Sequence, residues 1–180
     1  MIEIKQVKTQ DEANYAFVEE LMHVAFPHEE RRDTIQQREY SDNHALFRNN
    51  IIMENGNRIG MISYWVMENF YYIEHFAIAP ALQNGGYGKR VLETIKELLK
   101  GPIVLEVEEP NDEMSTRRIQ FYKRLEFILH NTSYVQPPYR KGDNGLPMLL
   151  MSYGNIDMES CFEKVRDILY KEVYGQTLES

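Results

Sequence analysis

The stretch from Phe70 to Lys100 constrains this chain most. It opens as Phe70-Tyr-Tyr-Ile-Glu-His-Phe-Ala-Ile-Ala-Pro80, an aromatic and branched run that reads as a buried strand. Pro80 has no N–H to give to a sheet ladder, so the strand should stop there. Downstream, Val91, Leu92, Ile95, Leu98 and Leu99 fall on one helical face, and Gly101-Pro102 should close that helix. Between them runs Ala81-Leu-Gln-Asn-Gly-Gly-Tyr-Gly-Lys-Arg90. A glycine-rich loop entering a helix N-terminus brings its amides close to a ligand and adds about half a positive charge. The natural guest is a phosphate or pyrophosphate. A Walker loop would need Ser or Thr after Gly88-Lys89, where Arg90 stands. A dinucleotide fingerprint would need glycine at the position of Val91.

Length and charge narrow the alternatives. The chain has 180 residues, enough for one domain with a proper core, and 43% of them are hydrophobic. A net charge of −8 argues against a nucleic-acid partner and is compatible with a cationic acceptor. Cys161 is the one cysteine, which excludes an internal disulfide, and no Cys/His cluster has zinc spacing. The start, Met1-Ile-Glu-Ile-Lys, has no apolar leader, and no run of about 18 apolar residues exists. The expectation is a cytoplasmic protein with no membrane span and no metal.

In chain order the pattern predicts a strand over 2–7 and a helix over Asp11–Phe26 with Ala13, Phe17, Leu21 and Val24 on one face. The charge run Pro27-His-Glu-Glu-Arg-Arg32 follows, then a short helix over Thr34–Tyr40. Strands over Ala45–Glu54 and Arg58–Met67 flank Asn55-Gly56-Asn57, a hairpin signal. Past the central helix come a strand at Ile103–Glu109 and a helix at Met114–Arg124 capped by Asn111 or Asp112. Strands at Phe127–Gln136 and Leu146–Tyr153 and an amphipathic helix at Asp157–Tyr174 complete the chain. Strict alternation on the Phe70 strand puts Glu74, Phe76 and Ile78 on one face and His75 and Ala77 on the other; a bulge would change that parity.

Two motifs carry a resemblance. Gln83-x-x-Gly86-x-Gly88, directly after Ala77-Ile78-Ala79-Pro80, resembles the acetyl-CoA motif of the GNAT superfamily of acyl-CoA-dependent N-acetyltransferases. Phe121-Tyr122-Lys123-Arg124-Leu125-Glu126-Phe127 resembles its second motif, in which an aromatic–tyrosine pair precedes Leu-Gly-Phe. The resemblance covers roughly residues 1–153. It implies a single α/β domain over 1–153, with a mixed, largely antiparallel sheet flanked by helices. It also implies a parallel, splayed strand pair at the coenzyme site. Residues 154–180 would be a helix packed on the domain or at a dimer interface, in a monomer or homodimer.

The same resemblance implies a site. Gln83, Asn84, Gly85, Gly86, Tyr87, Gly88 and Lys89 would hold the acetyl-CoA pyrophosphate. Phe76, Ala77 and Ile78 would hold the pantetheine arm and acetyl carbonyl, one of their N–H groups facing the oxyanion. Tyr122 would protonate the departing thiolate. The family's coenzyme-contacting asparagine is replaced by Ser115, with Asn111 four residues earlier; either could serve. Deprotonating an amine of pKa about 10.4 near pH 7.4 costs roughly 4 kcal/mol, so a base is worth having. Glu74 is the first candidate, Glu106 and Glu108 are reserves, and His75 is a fourth. Tyr64, Trp65, Tyr134, Tyr139 and Tyr153 could line the acceptor pocket, and the 27–32 run could wall it. The expected activity is transfer of acetyl from acetyl-CoA to a primary amine of a small molecule or peptide, directly in a ternary complex. The alternative is a non-catalytic acyl-CoA sensor. Glu126, where the family has glycine, should alter the turn before Phe127.

Overall fold

The computed structural model describes residues 1–177. They form two compact units, Met1–Gly101 and the chain from Pro102 onward. The first contains β1 (Ile2–Gln6), α1 (Glu12–Ala25), α2 (Thr34–Asn43), β2 (Phe47–Glu54), β3 (Asn57–Val66), β4 (Tyr71–Ile78) and α3 (Tyr87–Leu99). Its strands pair antiparallel in the order β1-β2-β3-β4. Asn55 (φ 50°) and Gly56 (φ 78°) turn β2 into β3 with the positive φ that the sequence signal demands.

One face of this sheet is covered by α1, which Asp11 caps by accepting from the Asn14 N–H. Val7, Tyr15, Val18, Leu21, Met22, Ile51 and Met61 form a buried cluster, with Phe26 and Ala77 packed against it. The buried stripe of α1 is rotated from the expected one: Leu21 lies on it, but Ala13 is exposed and Val24 is 72% exposed. Tyr15 displaces the expected stripe because its ring is buried while its hydroxyl meets Ser41 Oγ at 3.3 Å. On α3, Val91, Leu92, Ile95 and Leu99 are buried, each worth about 1.5–3 kcal/mol of transfer free energy. Leu98, expected on that face, is exposed.

Strand β4 is not regular. Its register with β3 runs Trp65↔Tyr72, Tyr64↔Ile73, then Ser63↔His75, so Glu74 is an extra residue in a bulge. The bulge overturns the expected parity. Glu74 reaches Arg32 while His75 reaches Glu30 and Phe26, so two successive side chains turn toward the segment between α1 and α2. At the far end of the pair, Gly60 faces Ile78, and a Cβ on Gly60 would stand 2.5 Å from the Ala77 carbonyl oxygen. Only glycine allows β3 to approach β4 so closely there.

The second unit contains β5 (Ile103–Glu108), α4 (Glu113–Arg124), β6 (Ile128–Gln136), β7 (Leu146–Tyr153) and α5 (Met158–Glu172). β7 pairs antiparallel with both β5 and β6. Asp112 caps α4 in a reciprocal box with Ser115. On α5, Phe162, Val165 and Leu169 are buried as the periodicity predicts, and Val173 continues the stripe. Both units thus have the α/β character expected, antiparallel strands flanked by helices.

The turn after α4 corrects one expectation. Glu126 adopts φ 70°, and the Phe127 N–H reaches the Tyr122 carbonyl at 3.0 Å. This is the left-handed helix ending that glycine normally supplies. The substitution therefore leaves the turn in place and strains it instead. Glu126→Gly should raise stability by about 1 kcal/mol, a rise of about 2–4 °C in melting temperature by scanning calorimetry. A lower melting temperature would refute this account of the turn.

Candidate active site

The loop between β4 and α3 has the features of an anion cradle. Asn84 (φ 66°) and Gly86 (φ 78°) both sit in the left-handed region, which swings the chain into the helix. Gly86 is the N-cap of α3, and no side chain caps that helix. The first-turn N–H groups therefore lack the usual side-chain acceptor, and the helix dipole favours an anion in front of them. A Cβ on Gly86 would meet nothing within 4 Å, so the space over the loop is open. Gly85 and Lys89 are exposed; Tyr87 and Gly88 are half-buried. Gln83 folds its side chain back, Nε2 donating to the Ile78 carbonyl at 3.3 Å, which ties the loop to the end of β4. Arg90 is ion-paired with Glu54, and its guanidinium lies 5.4 Å from the Tyr87 ring centre. Phe76, Ala77 and Ile78 are half-buried, as a strand must be if a ligand is to lie along it. These residues fit a coenzyme pyrophosphate and its arm.

The bulge in β4 is held from the α1–α2 side. Glu74 Oε2 accepts from Arg32 Nη2 at 2.5 Å, and Oε1 accepts from the Trp65 indole N–H at 2.9 Å. Both side chains of the ion pair are almost wholly buried. Arg32 Nη1 donates to Gln37 Oε1 at 2.7 Å, and its guanidinium lies 5.0–5.8 Å from the ring centres of Tyr40, Phe47 and Trp65. Burial acts to raise the Glu74 pKa, but the Arg32 charge and the hydrogen bonds outweigh it and hold the carboxyl below its ordinary value. His75 donates from Nε2 to the Glu30 carbonyl at 2.8 Å, and its ring meets Phe26 edge-on at 4.6 Å. Burial pushes the His75 pKa down, so the ring is neutral at pH 7. The expected base is thus a committed carboxylate. Arg32, in the sequence one of six residues in a charge run, is the partner that commits it.

In the second unit Tyr122 is buried, its ring edge-on to Phe127 at 5.4 Å, and burial raises its pKa to about 12. Ser115 Oγ is engaged in the Asp112 box, at 2.8 Å from Asp112 Oδ1, whereas Asn111 is exposed beside it. Glu106 and Glu108 share a face of β5, as alternation predicts, and both are half-buried. Glu106 accepts from Tyr174 Oη at 2.5 Å, from Gln136 Nε2 at 3.0 Å and from the Tyr134 hydroxyl. Burial first, then the Glu106 carboxylate, raises the Tyr134 pKa. Among the aromatics expected at an acceptor pocket, Trp65 is 0% exposed and belongs to the core, and Tyr134 is buried against Glu106. Tyr64, Tyr139 and Tyr153 are half-buried.

Among the described residues no group of three or more His, Cys, Asp or Glu could hold a metal ion. No helix among them is long and apolar enough to cross a membrane.

Comparison with known proteins gives these features a family. A comparison with curated proteins returned no match. Among solved structures, a GNAT-family acetyltransferase from Bacteroides thetaiotaomicron is 50% identical, with 97% of this chain and 99% of that one covered and a TM-score of 0.95. The ribosomal-protein-S18-alanine N-acetyltransferase from Escherichia coli is 21% identical, covering 87% and 99%, at a TM-score of 0.57. An aminoglycoside 6'-N-acetyltransferase complexed with coenzyme A is 12% identical, covering 86% of this chain and 98% of that one, at 0.62. The latter two show the shared fold. The profile of the acetyltransferase (GNAT) family matches residues 12–127, from the start of α1 through the turn after α4, so this chain belongs to the GNAT family of acetyltransferases, which use acetyl-CoA.

Proposed function

We propose that the protein transfers acetyl from acetyl-CoA to a primary amine of a small molecule or peptide, directly, within a ternary complex. The observation that carries this reading is the open β4–α3 loop, with Gly86 as an N-cap in the left-handed region and no side chain over the α3 amides. The loop residues Gln83–Lys89 hold the pyrophosphate, and the β4 main chain from Phe76 to Ile78 holds the arm and the thioester. Asn111, exposed beside the engaged Ser115, is the better donor to the coenzyme from α4.

The chemistry has a proton to remove and a proton to supply. Tyr122 supplies the second, to the thiolate. Against a thiolate in water a phenol of pKa about 12 is roughly 5 kcal/mol uphill, but a desolvated thiolate is itself more basic, which narrows the gap. For the first, Glu74 is bonded through both oxygens, His75 uses its Nε2–H on Glu30, and Glu106 already takes three donors. We therefore assign the amine's proton to Glu108, half-buried at the end of β5. Glu108→Gln should lower kcat/KM by about 100-fold while acetyl-CoA binding is kept; a wild-type kcat/KM in Glu108→Gln would return the role to Glu74.

The test of the function is CoA release from acetyl-CoA across a panel of primary amines, followed by thiol titration and by mass spectrometry of the acceptor. An acetylated amine is the expected product. Tight coenzyme binding with no release for any amine would instead favour an acyl-CoA sensor.

A further inference from the structure

We propose that Arg32 is a positioning residue for acyl transfer: by clamping the Glu74 side chain inward, it fixes the β4 bulge and so sets where the strand's main chain meets the thioester. The inference rests on the acetyltransferase reading above and concerns how that site is built.

Three observations support it. First, the register skips from Ile73 to His75, so position 74 is not set by a facing residue on β3. Its side chain sets it instead, through the Arg32 and Trp65 contacts to its two oxygens. Second, the Glu74 side chain is 0% exposed while the residue as a whole is half-buried, so its accessible surface belongs to its main chain. The clamp turns the carboxylate in and the backbone out. Third, Arg32 cannot drift. Its guanidinium is planar, and it donates to Gln37 on one side and Glu74 on the other amid three aromatic rings.

The adjoining residue repeats the device. His75 is bonded to the Glu30 carbonyl and packed on Phe26, and its own N–H reaches Ser63 Oγ at 3.2 Å. The segment from Phe26 to Arg32 is thus stitched to two successive residues of the bulge. A rigid bulge matters because a donor aimed at an oxyanion works only where it is held in place before the reaction. On this account Arg32 touches neither substrate, yet a change there reaches the thioester through one strand.

The experiment uses acetyl-CoA carrying carbon-13 at the acetyl carbonyl, bound to the wild type, Arg32→Met and Arg32→Lys. Calorimetry gives the dissociation constant, and NMR gives the resonance of the bound carbonyl, with no acceptor required. In the wild type the resonance should move downfield of free acetyl-CoA as a backbone donor polarises the carbonyl. In Arg32→Met it should return toward the free value while the dissociation constant stays within about threefold, because the pyrophosphate loop is untouched. Arg32→Lys, which keeps the charge but not the plane, should fall between. A wild-type resonance in folded Arg32→Met overturns the proposal, as does loss of affinity in step with loss of the shift. Removing one partner of a buried pair leaves the other charge uncompensated, and Arg32→Met could unfold for that reason. In that case Arg32→Lys decides alone: a full wild-type shift refutes the proposal and a partial one supports it. A wild type that binds no acetyl-CoA removes the acetyltransferase reading and this inference together. A wild type that binds with an unshifted carbonyl removes only the inference.

Discussion

Gly86→Glu should abolish measurable acetyl-CoA binding, a loss of at least about 100-fold, or about 3 kcal/mol. Two effects act together. Gly86 sits at φ 78°, where any side chain strains the backbone by about 1–2 kcal/mol. The added carboxylate would also stand at the uncapped start of α3, where it satisfies the amides that a pyrophosphate would use and repels its charge. Steric exclusion by the protein is not involved, since a Cβ there meets nothing within 4 Å. Gly86→Ala carries the strain without the charge and should lose less than about tenfold. Calorimetric titration of the three proteins, with circular dichroism to confirm that α3 persists, checks this. Full affinity in Gly86→Glu would move the coenzyme off this loop.

Tyr122→Phe should lower kcat by about 100-fold and leave the dissociation constant for acetyl-CoA unchanged, the signature of a lost general acid. The hydroxyl is the one group removed, and the ring keeps its contacts with Phe121 and Phe127. A pKa of about 12 keeps Tyr122 protonated throughout the working range, so no basic limb of the rate profile below pH 10 belongs to it. The same shift has a consequence for stability. The folded state holds this proton more tightly than the unfolded chain, so the contribution is complete below pH 10 and is lost as pH rises toward 12. Wild-type kcat in Tyr122→Phe would remove the tyrosine from the mechanism.

The parts of this molecule that were legible in sequence are those with local causes. Asn55-Gly56 announces its turn because few residues tolerate positive φ, and Pro80 ends its strand because it has no N–H. The bulge at Glu74 had no such marker. Ile73-Glu74-His75 contains no glycine or proline, and the alternation rule assigned its faces wrongly. Arg32 was hidden for a different reason. In a run of His, Glu and Arg it looks solvated, and its burial depends on Tyr40, Phe47 and Trp65, which lie 8 to 33 positions on. The expected face of α1 fails at both Ala13 and Val24, leaving Leu21 as its fully buried member, whereas α3 departs at Leu98 alone. The turn at Glu126 is legible in principle, because a slot the resemblance assigns to glycine is a demand on φ, and glutamate can meet it at a cost.

The grip of Tyr174 on Glu106 bears on how the chain can be cut and joined. Tyr174 lies just past the end of α5, so the turn that follows this helix is wired to the middle of β5. A deletion that stops at Tyr153, the boundary a domain alignment would suggest, takes away that hydroxyl and bares the Tyr134 and Val135 side of β6, where Tyr170 also donates to the Val135 carbonyl. Fusions and tags therefore belong after Gln176, and minimal versions of this enzyme should be drawn to include α5.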